Sequence, residues 1–329
     1  MPALPDATAP QRLTLRVRAL TWEAEGILGI ELVPADPATT LPPAQAGAHT
    51  VLHLPPEAGV ASRSYSLINP GEPGRWQLAV NRDAASRGGS RWLHAQLRPG
   101  ALLQAEPPKN LFPLVEDAPH TVLIAGGIGI TPLLAMARRL TALGRPWTLH
   151  QAARSRAQAP FVDTLQALAR QAGARHHLHL DDEAGRVLDL PAIIAALPEG
   201  AHLYACGPKP MLAAFEAATA ALPPGRAHLE HFSGVEAPAG GAGFTVKLHR
   251  SGQRIAVAPG QTILAALQAA GHEPLYSCGQ GICGTCQVRV LAGQPDHRDL
   301  VQSDDEKAAN THIMVCCSGA LSPELELDL

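Results

Sequence analysis

Through residues 11–110 apolar and polar positions alternate in short runs. "RLTLRVRAL", "GILGIELV", "TVLHL" and "WQLAVNR" place apolar side chains at roughly every second position, and proline or glycine separates one run from the next. A period of two turns one face of a strand to a core and the other to water, which predicts an antiparallel barrel or sandwich. From about residue 120 the pattern changes. "HTVLIAGG" is continuously apolar, as in a strand buried on both faces, and "TPLLAMARRLTAL" has the repeat of a helix. The strand "WTLHQAAR", helix "FVDTLQALARQA", strand "HHLHL", helix "LPAIIAAL" and strand "AHLYACG" follow, and the helix "KPMLAAFEAATAAL" closes the series. Strands alternating with helices at this pitch predict a parallel sheet covered on both faces.

"SGVEAPAGGAG" is a small-residue linker. Beyond it lie a hairpin, "FTVKLHR" and "RIAVAP", a short helix "TILAALQAAG", a cysteine-rich loop, the strand "CQVRVLAG" and a final "ELELDL". The expected layout is a barrel domain over 1–115, an α/β domain over 116–232, the linker over 233–243 and a small α+β domain over 244–329.

Composition narrows the class. The 329 residues leave room for two or three domains with real cores. With 46% hydrophobic and 17% charged residues the chain should be folded. A formal net charge of −3 offers no footprint for nucleic acid or an anionic membrane surface. "MPALPDATAPQRL" has no apolar core of a secretory signal, so a cytoplasmic location is expected. "TVLIAGGIGITPLLAMA" is slightly short for a membrane span and holds three glycines and a proline, which suits a strand, a turn and a helix better. The histidines of "HHLHL" and "HLEH" lack a metal-ligand spacing and read as strand or loop residues. Six cysteines without a secretory signal argue against a disulfide framework and for metal or redox use.

Four of those cysteines carry the chemistry. In "SCGQGICGTCQVRV", Cys278, Cys283 and Cys286 are spaced C-x4-C-x2-C, and Cys316 follows after 29 intervening residues. This is the plant-type ferredoxin spacing for a 2Fe–2S cluster. Gly279, Gly281 and Gly284 would let the backbone wrap a cluster and aim its amides at sulfur. A zinc site would more naturally show two separated Cys-x-x-Cys knuckles, and unmetallated core thiols are the blander alternative. Cys317, beside Cys316, reads as a packing thiol.

Two further motifs suggest cofactors. "LIAGGIGITP" sets Gly126, Gly127 and Gly129 between a buried strand and a helix beginning near Thr131, a place suited to a pyrophosphate or simply to a tight turn. "YACGPKPM" ends a later strand at Cys206, Gly207 and Pro208, and two such ends would face one crevice. Cys206 is then either a thiol beside a cofactor's reactive ring or a core cysteine. "RSYSL" and "SRGGSRWL" bring Arg63 and Arg87 beside glycine-freed amides, which suits a phosphate, although a barrel turn with surface arginines would look the same.

The order "RSYS", "RGGS", "AGGIGITP", "CGP" and C-x4-C-x2-C, with the ending "PDHRD…DDEK…MVCCS…LELDL", resembles the phthalate dioxygenase reductase family, whose relatives include the reductase components of vanillate demethylase and other Rieske oxygenases. The likeness spans nearly the whole chain. It implies an FMN-binding barrel, an NAD-binding domain like that of ferredoxin reductases and a C-terminal β-grasp ferredoxin. It assigns FMN contacts to Arg63, Ser64, Tyr65, Ser66, Val80, Asn81, Arg82, Arg87, Gly88, Gly89, Ser90 and Thr131. Phe232 would cap the flavin region with Glu230 nearby. The nucleotide would meet Gly126, Gly127, Gly129, Arg154, Ser155, Cys206, Gly207 and Pro208. Three positions depart from the family: Asn81 replaces a lysine, Ser155 an aspartate suited to the NADH ribose, and Gly279 a glutamate. With Arg154 and Arg156 beside Ser155, NADPH stays open as a donor alongside NADH.

A nicotinamide gives up two electrons together and a 2Fe–2S cluster accepts one, so a flavin between them is needed. Ser66, Cys206 and Glu230 are the side chains expected at the reacting centre, with Ser66 near flavin N5. The expected partner is a separate terminal Rieske-type oxygenase, and the chain is expected to be a monomer. It shows no Rieske ligand pair or two-histidine-one-carboxylate iron site, so it should not hydroxylate a substrate itself. A reductase for another electron carrier and a redox-sensing iron–sulfur module are the alternatives.

Overall fold

The computed structural model describes residues 12–83, 88–232, 234, 242–276 and 278–329. Arg87 and most of the linker over 233–243 lie outside the described residues. The chain divides into two compact units, Met1–Glu230 and His231–Leu329.

The alternating segments of the first unit form one antiparallel sheet. Strands β1 (Leu13–Ala24), β2 (Ile27–Pro34), β3 (Ala48–His53), β4 (Ser62–Ser66), β5 (Trp76–Asn81), β6 (Leu102–Ala105) and β7 (Lys109–Asn110) are ordered β4-β3-β6-β1-β2-β5, with β7 on β3. Their inward positions, among them Leu15, Ile30, Leu52, Leu78 and Leu103, make one core, closed by Leu93 and Leu97 of α1 (Gly89–Gln96) and its C-cap. Helix α1 is an addition to the expected elements. Two glycines at its head argued for a loop, but Leu93 is fully buried and the His94 Nε2 bonds the Val80 carbonyl at 2.9 Å. Tertiary packing here overrides weak local propensity.

The second part of this unit is the expected parallel sheet: β8 (Thr121–Gly126), α2 (Ile130–Ala142), β9 (Trp147–Ala153), α3 (Val162–Ala172), β10 (Arg175–Leu180), α4 (Asp181–Ala184), α5 (Leu190–Ala195), β11 (His202–Cys206), α6 (Lys209–Thr219) and β12 (Ala227–Glu230). The strand order is β10-β9-β8-β11-β12, every pairing parallel. Helix α6 does not close the series, because "AHLE" adds β12 at the edge. Its four half-buried residues carry too little pattern to be seen in sequence. The histidines of "HHLHL" and "HLEH" stand on or beside β10 and β12, where His177 stacks on His150 with ring centroids 4.8 Å apart. Buried residues of α2 and β8 share a core with Ile27, Ile68, Ala79 and Phe112 of the antiparallel part, so the two sheets are one body. Among the described residues no helix is long and apolar enough to cross a membrane. "TVLIAGGIGITPLLAMA" becomes β8, a turn and α2.

The second unit is mixed. β13 (Phe244–Leu248), β14 (Arg254–Val257), α7 (Ile263–Ala269), β15 (Gln287–Ala292), β16 (Pro295–Asp296), α8 (Asp304–Ala309), β17 (His312–Met314), β18 (Gly319–Ala320) and β19 (Glu324–Leu327) form a sheet ordered β14-β13-β19-β15-β17 and a β16-β18 ladder. Helix α8 buries no residue. It is held by a capping box in which Ser303 Oγ accepts from the Glu306 amide and the Glu306 carboxylate accepts from the Ser303 amide.

Candidate functional site

The cysteine loop runs between α7 and β15. Gly279, Gly281 and Gly284 all have positive φ, and at Gly281 a side chain would also strike Cys317, with a Cβ 2.6 Å from its Sγ. Glycine is therefore required there on two counts. The tight path aims amides at sulfur: Cys278 N–H at Cys283 Sγ (3.4 Å), Gln280 N–H at Cys278 Sγ (3.3 Å) and Gly281 N–H at Cys316 Sγ (3.2 Å). The thiols also meet one another. Hydrogen bonding from Cys283 and then Cys316 holds Cys278 far below the ordinary thiol value, and contact with Cys316 lowers Cys286. The same contacts push Cys283 and Cys316 up. Four sulfurs and three loop amides directed at them suit a cluster ligated by four thiolates. Cys317 faces the other way, toward Met314 O and Ser318 Oγ.

The glycine turn and the "CGP" strand end meet as expected. β8 and β11 pair with Ala125 opposite Cys206, which brings their carboxyl ends to one edge. The approach is so close that only glycine fits. A Cβ on Gly129 would strike the Cys206 carbonyl, one on Gly126 would lie 2.6 Å from Pro208 Cδ, and one on Gly207 would lie 2.5 Å from Met211 Cε. Thr131 is buried at the head of α2 and donates to Ile128 O at 3.1 Å. On the next strand, register sets Glu230 beside Cys206. Burial raises the Glu230 carboxyl to about 8, and burial followed by the nearby Glu230 pushes the Cys206 thiol well up. Oε2 of Glu230 is buried without a hydrogen-bond partner. Arg154 is exposed just beyond β9, Ser155 opens a short 3₁₀ turn, and Arg156 pairs with Glu183 at 3.2 Å.

The "RSYS" strand and α1 form a cradle beside this edge. Gly88, with φ 131°, leads into α1, and a Cβ there would strike Ala58 O. A Cβ on Gly89 would come within 3.4 Å of Arg63 Cγ, which places Arg63 at the head of α1. No side chain caps that helix at Gly88. Ser90 Oγ here and Ser64 Oγ on β4 are both buried with no hydrogen-bond partner. A buried hydroxyl without a partner costs about 1–3 kcal/mol, and a phosphate and a polar ring system would satisfy both. Val80 and Asn81 end the neighbouring β5, with Arg82 the next residue, and this strand packs on the Gly127–Gly129 turn. Ser66 is buried at the end of β4, and Tyr65 packs on the core, where burial pushes its hydroxyl up against the opposing pull of Arg63.

Family models match two of these parts. Residues 123–217 match the oxidoreductase NAD-binding domain, and residues 246–321 match the 2Fe-2S iron-sulfur cluster binding domain. Phenoxybenzoate dioxygenase subunit beta of Ectopseudomonas oleovorans is 53% identical over 96% of this chain and 97% of its own length. Tetrachlorobenzoquinone reductase of Sphingobium chlorophenolicum is 48% identical over 96% and 98%. The solved structure of phthalate dioxygenase reductase, described as a modular structure for electron transfer from pyridine nucleotides to [2Fe-2S], superposes with a TM-score of 0.74 at 34% identity, covering 97% of this chain and 98% of that one.

The chain belongs to the phthalate dioxygenase reductase family. It is an oxidoreductase that carries an NAD-binding domain and a 2Fe–2S cluster domain.

In this reductase Arg63 meets Gly89 at the head of α1, next to Gly88 and Ser90, while Gly126, Gly127, Gly129, Cys206, Gly207, Pro208 and Glu230 are brought together at the ends of β8, β11 and β12. Arg87 lies outside the described residues. Phe232 is an exposed aromatic at the start of the second unit. Sequence reasoning passed over three residues. Met211 fills the space left by Gly126 and Gly207. Thr285 Oγ1 bonds Cys283 Sγ at 3.4 Å. Asp299, buried, accepts the Val301 and Gln302 amides while the Leu300 amide donates to Gly281 O, which braces the crown of the loop. Only the quoted "CGPKPM" and "PDHRD" hinted at Met211 and Asp299.

Proposed function

We propose that this reductase is the electron-entry component of a terminal Rieske-type oxygenase system, with the antiparallel sheet acting as an FMN-binding barrel over 1–115, an NAD domain over 116–232 and a β-grasp ferredoxin over 244–329. The observation that carries it is the convergence of Cys278, Cys283, Cys286 and Cys316 under loop amides, on the same chain as a nucleotide edge. Relatives of near-equal length named as an oxygenase subunit and a reductase support this reading. A monomer working in the reducing cytoplasm suits unpaired thiols.

Arg63, the Ser64 and Ser90 hydroxyls and the head of α1 would hold the FMN phosphate and ring edge. Residues 126–129 and Cys206, Gly207 and Pro208 would seat the nucleotide. Bound there, the flavin exchanges the nicotinamide's electron pair for single electrons that an iron–sulfur cluster can carry. At neutral pH the raised Glu230 carboxyl and Cys206 thiol both keep their protons. The edge around the reacting rings is thus lined by uncharged groups, and Ser66 supplies a buried hydroxyl at the end of β4. None of these side chains needs to act as a nucleophile; position and local polarity are their contribution.

Anaerobic addition of NADH to the purified protein tests the reading by absorbance. Flavin bleaching followed by loss of the cluster bands is expected. A cluster without any NADH response would mark a redox-sensing module instead. The likeness to a quinone reductase favours a second reading, in which a quinone accepts electrons directly. Turnover of a benzoquinone at a rate far above that of any oxygenase partner would favour it.

A further inference from the structure

The crown of the cluster loop rests on an acid whose charge the bracing of that loop does not explain. Asp299 is only 1% exposed, and its Cα lies 3.3 Å from the point that a Cβ on Gly281 would occupy. The amide of that glycine donates to Cys316 Sγ at 3.2 Å, so a single glycine links the backbone of the acid to a sulfur proposed as a cluster ligand. Oδ1 of Asp299 accepts the Val301 amide at 3.0 Å and the Gln302 amide at 2.8 Å. Oδ2 is buried with no hydrogen-bond partner. The basic residues just before it in the chain are engaged elsewhere. Arg298 Nε donates to Asp296 at 2.7 Å, and His297 Nε2 meets Asn310 Oδ1 at 3.1 Å. Among the described residues no ion pair reaches Asp299.

We infer that the Asp299 carboxylate is a buried negative charge that lowers the reduction potential of the loaded cluster. The inference rests on the cluster reading above. Bracing the loop does not call for an acid. Asparagine would accept the same two amides through its carbonyl oxygen, without the cost of burying an unpaired charge. What the carboxylate adds is the charge itself. Reduction places one more electron on a centre ligated by four thiolates, and a fixed negative charge nearby opposes that step most strongly where water is excluded. The reduced cluster is thereby the stronger donor to the acceptor that follows it. Asp299 acts on the cluster through space and supplies no ligand to it.

Redox titration of the intact holoprotein, followed by the EPR signal of the reduced cluster and paired with iron analysis, tests this in Asp299→Asn and Asp299→Ser. Asp304→Asn, on the exposed first turn of α8, is the surface control. Both Asp299 variants keep an oxygen that can accept an amide, and both should raise the midpoint potential at unchanged iron content. The rise should survive high salt, which screens exposed charges far more than buried ones, whereas any shift in the control should fade. Iron-loaded variants at or below the wild-type potential would overturn the inference, as would a rise that salt abolishes. If only one variant keeps its iron, its potential alone decides. Loss of iron from both would also overturn it, because the acid would then be holding the loop by its hydrogen bonds. A wild-type protein lacking cluster absorbance and EPR signal removes the functional reading itself and this inference with it.

Discussion

At the scale of single residues, the most unusual group is Glu230. Its carboxyl is buried beside Cys206, one oxygen has no partner, and burial raises it from 4.5 to about 8. A group held above its unfolded value binds its proton more tightly when the chain is folded. Its contribution to stability is complete below pH 4.5, declines above it and is lost as pH rises through 8. Glu230→Gln keeps the shape and a hydrogen-bond donor but cannot ionise. Melting temperature should therefore fall from pH 6 to pH 9 more steeply in the wild type than in the variant, as read by thermal scans across that range, and parallel profiles would remove the buried proton from the account. The sequence named Glu230 only through likeness to a family, because its environment depends on register. Cys206 and Glu230 are neighbours on parallel strands with all of α6 between them, and no local pattern states that they touch. The cluster cysteines differ. Cys278, Cys283 and Cys286 lie within nine positions, so the loop that gathers them is written in the spacing itself.

At the scale of elements, two junctions set the sites, and each offers a test. The turn between β8 and α2 passes directly over the end of β11. Gly129 has an ordinary helical φ of −61°, so its need for glycine is purely one of space. In Gly129→Ala the new methyl meets the backbone carbonyl of Cys206, which cannot swing aside as a side chain could. Overpacking of this kind costs about 1–3 kcal/mol, and the two strand ends must part to relieve it. A lower melting temperature together with a raised KM for NADH is expected from thermal scans and steady-state dye reduction. The second junction is the head of α1. Ser90→Ala removes a hydroxyl that has no protein partner, so the apoprotein should melt at the wild-type temperature or slightly above. A lost hydrogen bond to a charged group is worth about 1.5–3 kcal/mol, so FMN measured by fluorescence titration should bind roughly ten- to a hundredfold more weakly. The glycine turn could be read from "LIAGGIGITP" because strand, turn and helix are consecutive. The cradle could not, because "RGGS" looks like a loop until Leu93 and the His94–Val80 bond fold it back as a helix against β5.

At the scale of the whole molecule, the electron path is divided between bodies that fold on separate cores. Val246, Leu248, Ile263, Leu267, Ile313 and Leu325 make the core of the second unit, whereas the cradle and the strand edge proposed for the flavin and the nucleotide belong to the first. The sequence rhythm passes from period-two runs to strand–helix alternation to the cysteine loop without interleaving them. It did not foretell that the antiparallel and parallel parts would fuse through Ile27, Ile68, Ala79 and Phe112 into one unit, because contacts across that seam join residues about a hundred positions apart. Separate cores imply separable losses. Cys283→Ser exchanges a buried sulfur, proposed above as a cluster ligand, for an oxygen that binds iron poorly, and Cys283 is a member of neither core cluster of the first unit. The variant should lose the visible bands of the cluster and reduction of a one-electron protein acceptor such as cytochrome c by tenfold or more. NADH-driven ferricyanide reduction, which needs only the flavin, should stay within about twofold of wild type. If ferricyanide reduction falls in step with cytochrome c reduction at unchanged FMN content, the two bodies are coupled in a way their separate cores do not explain.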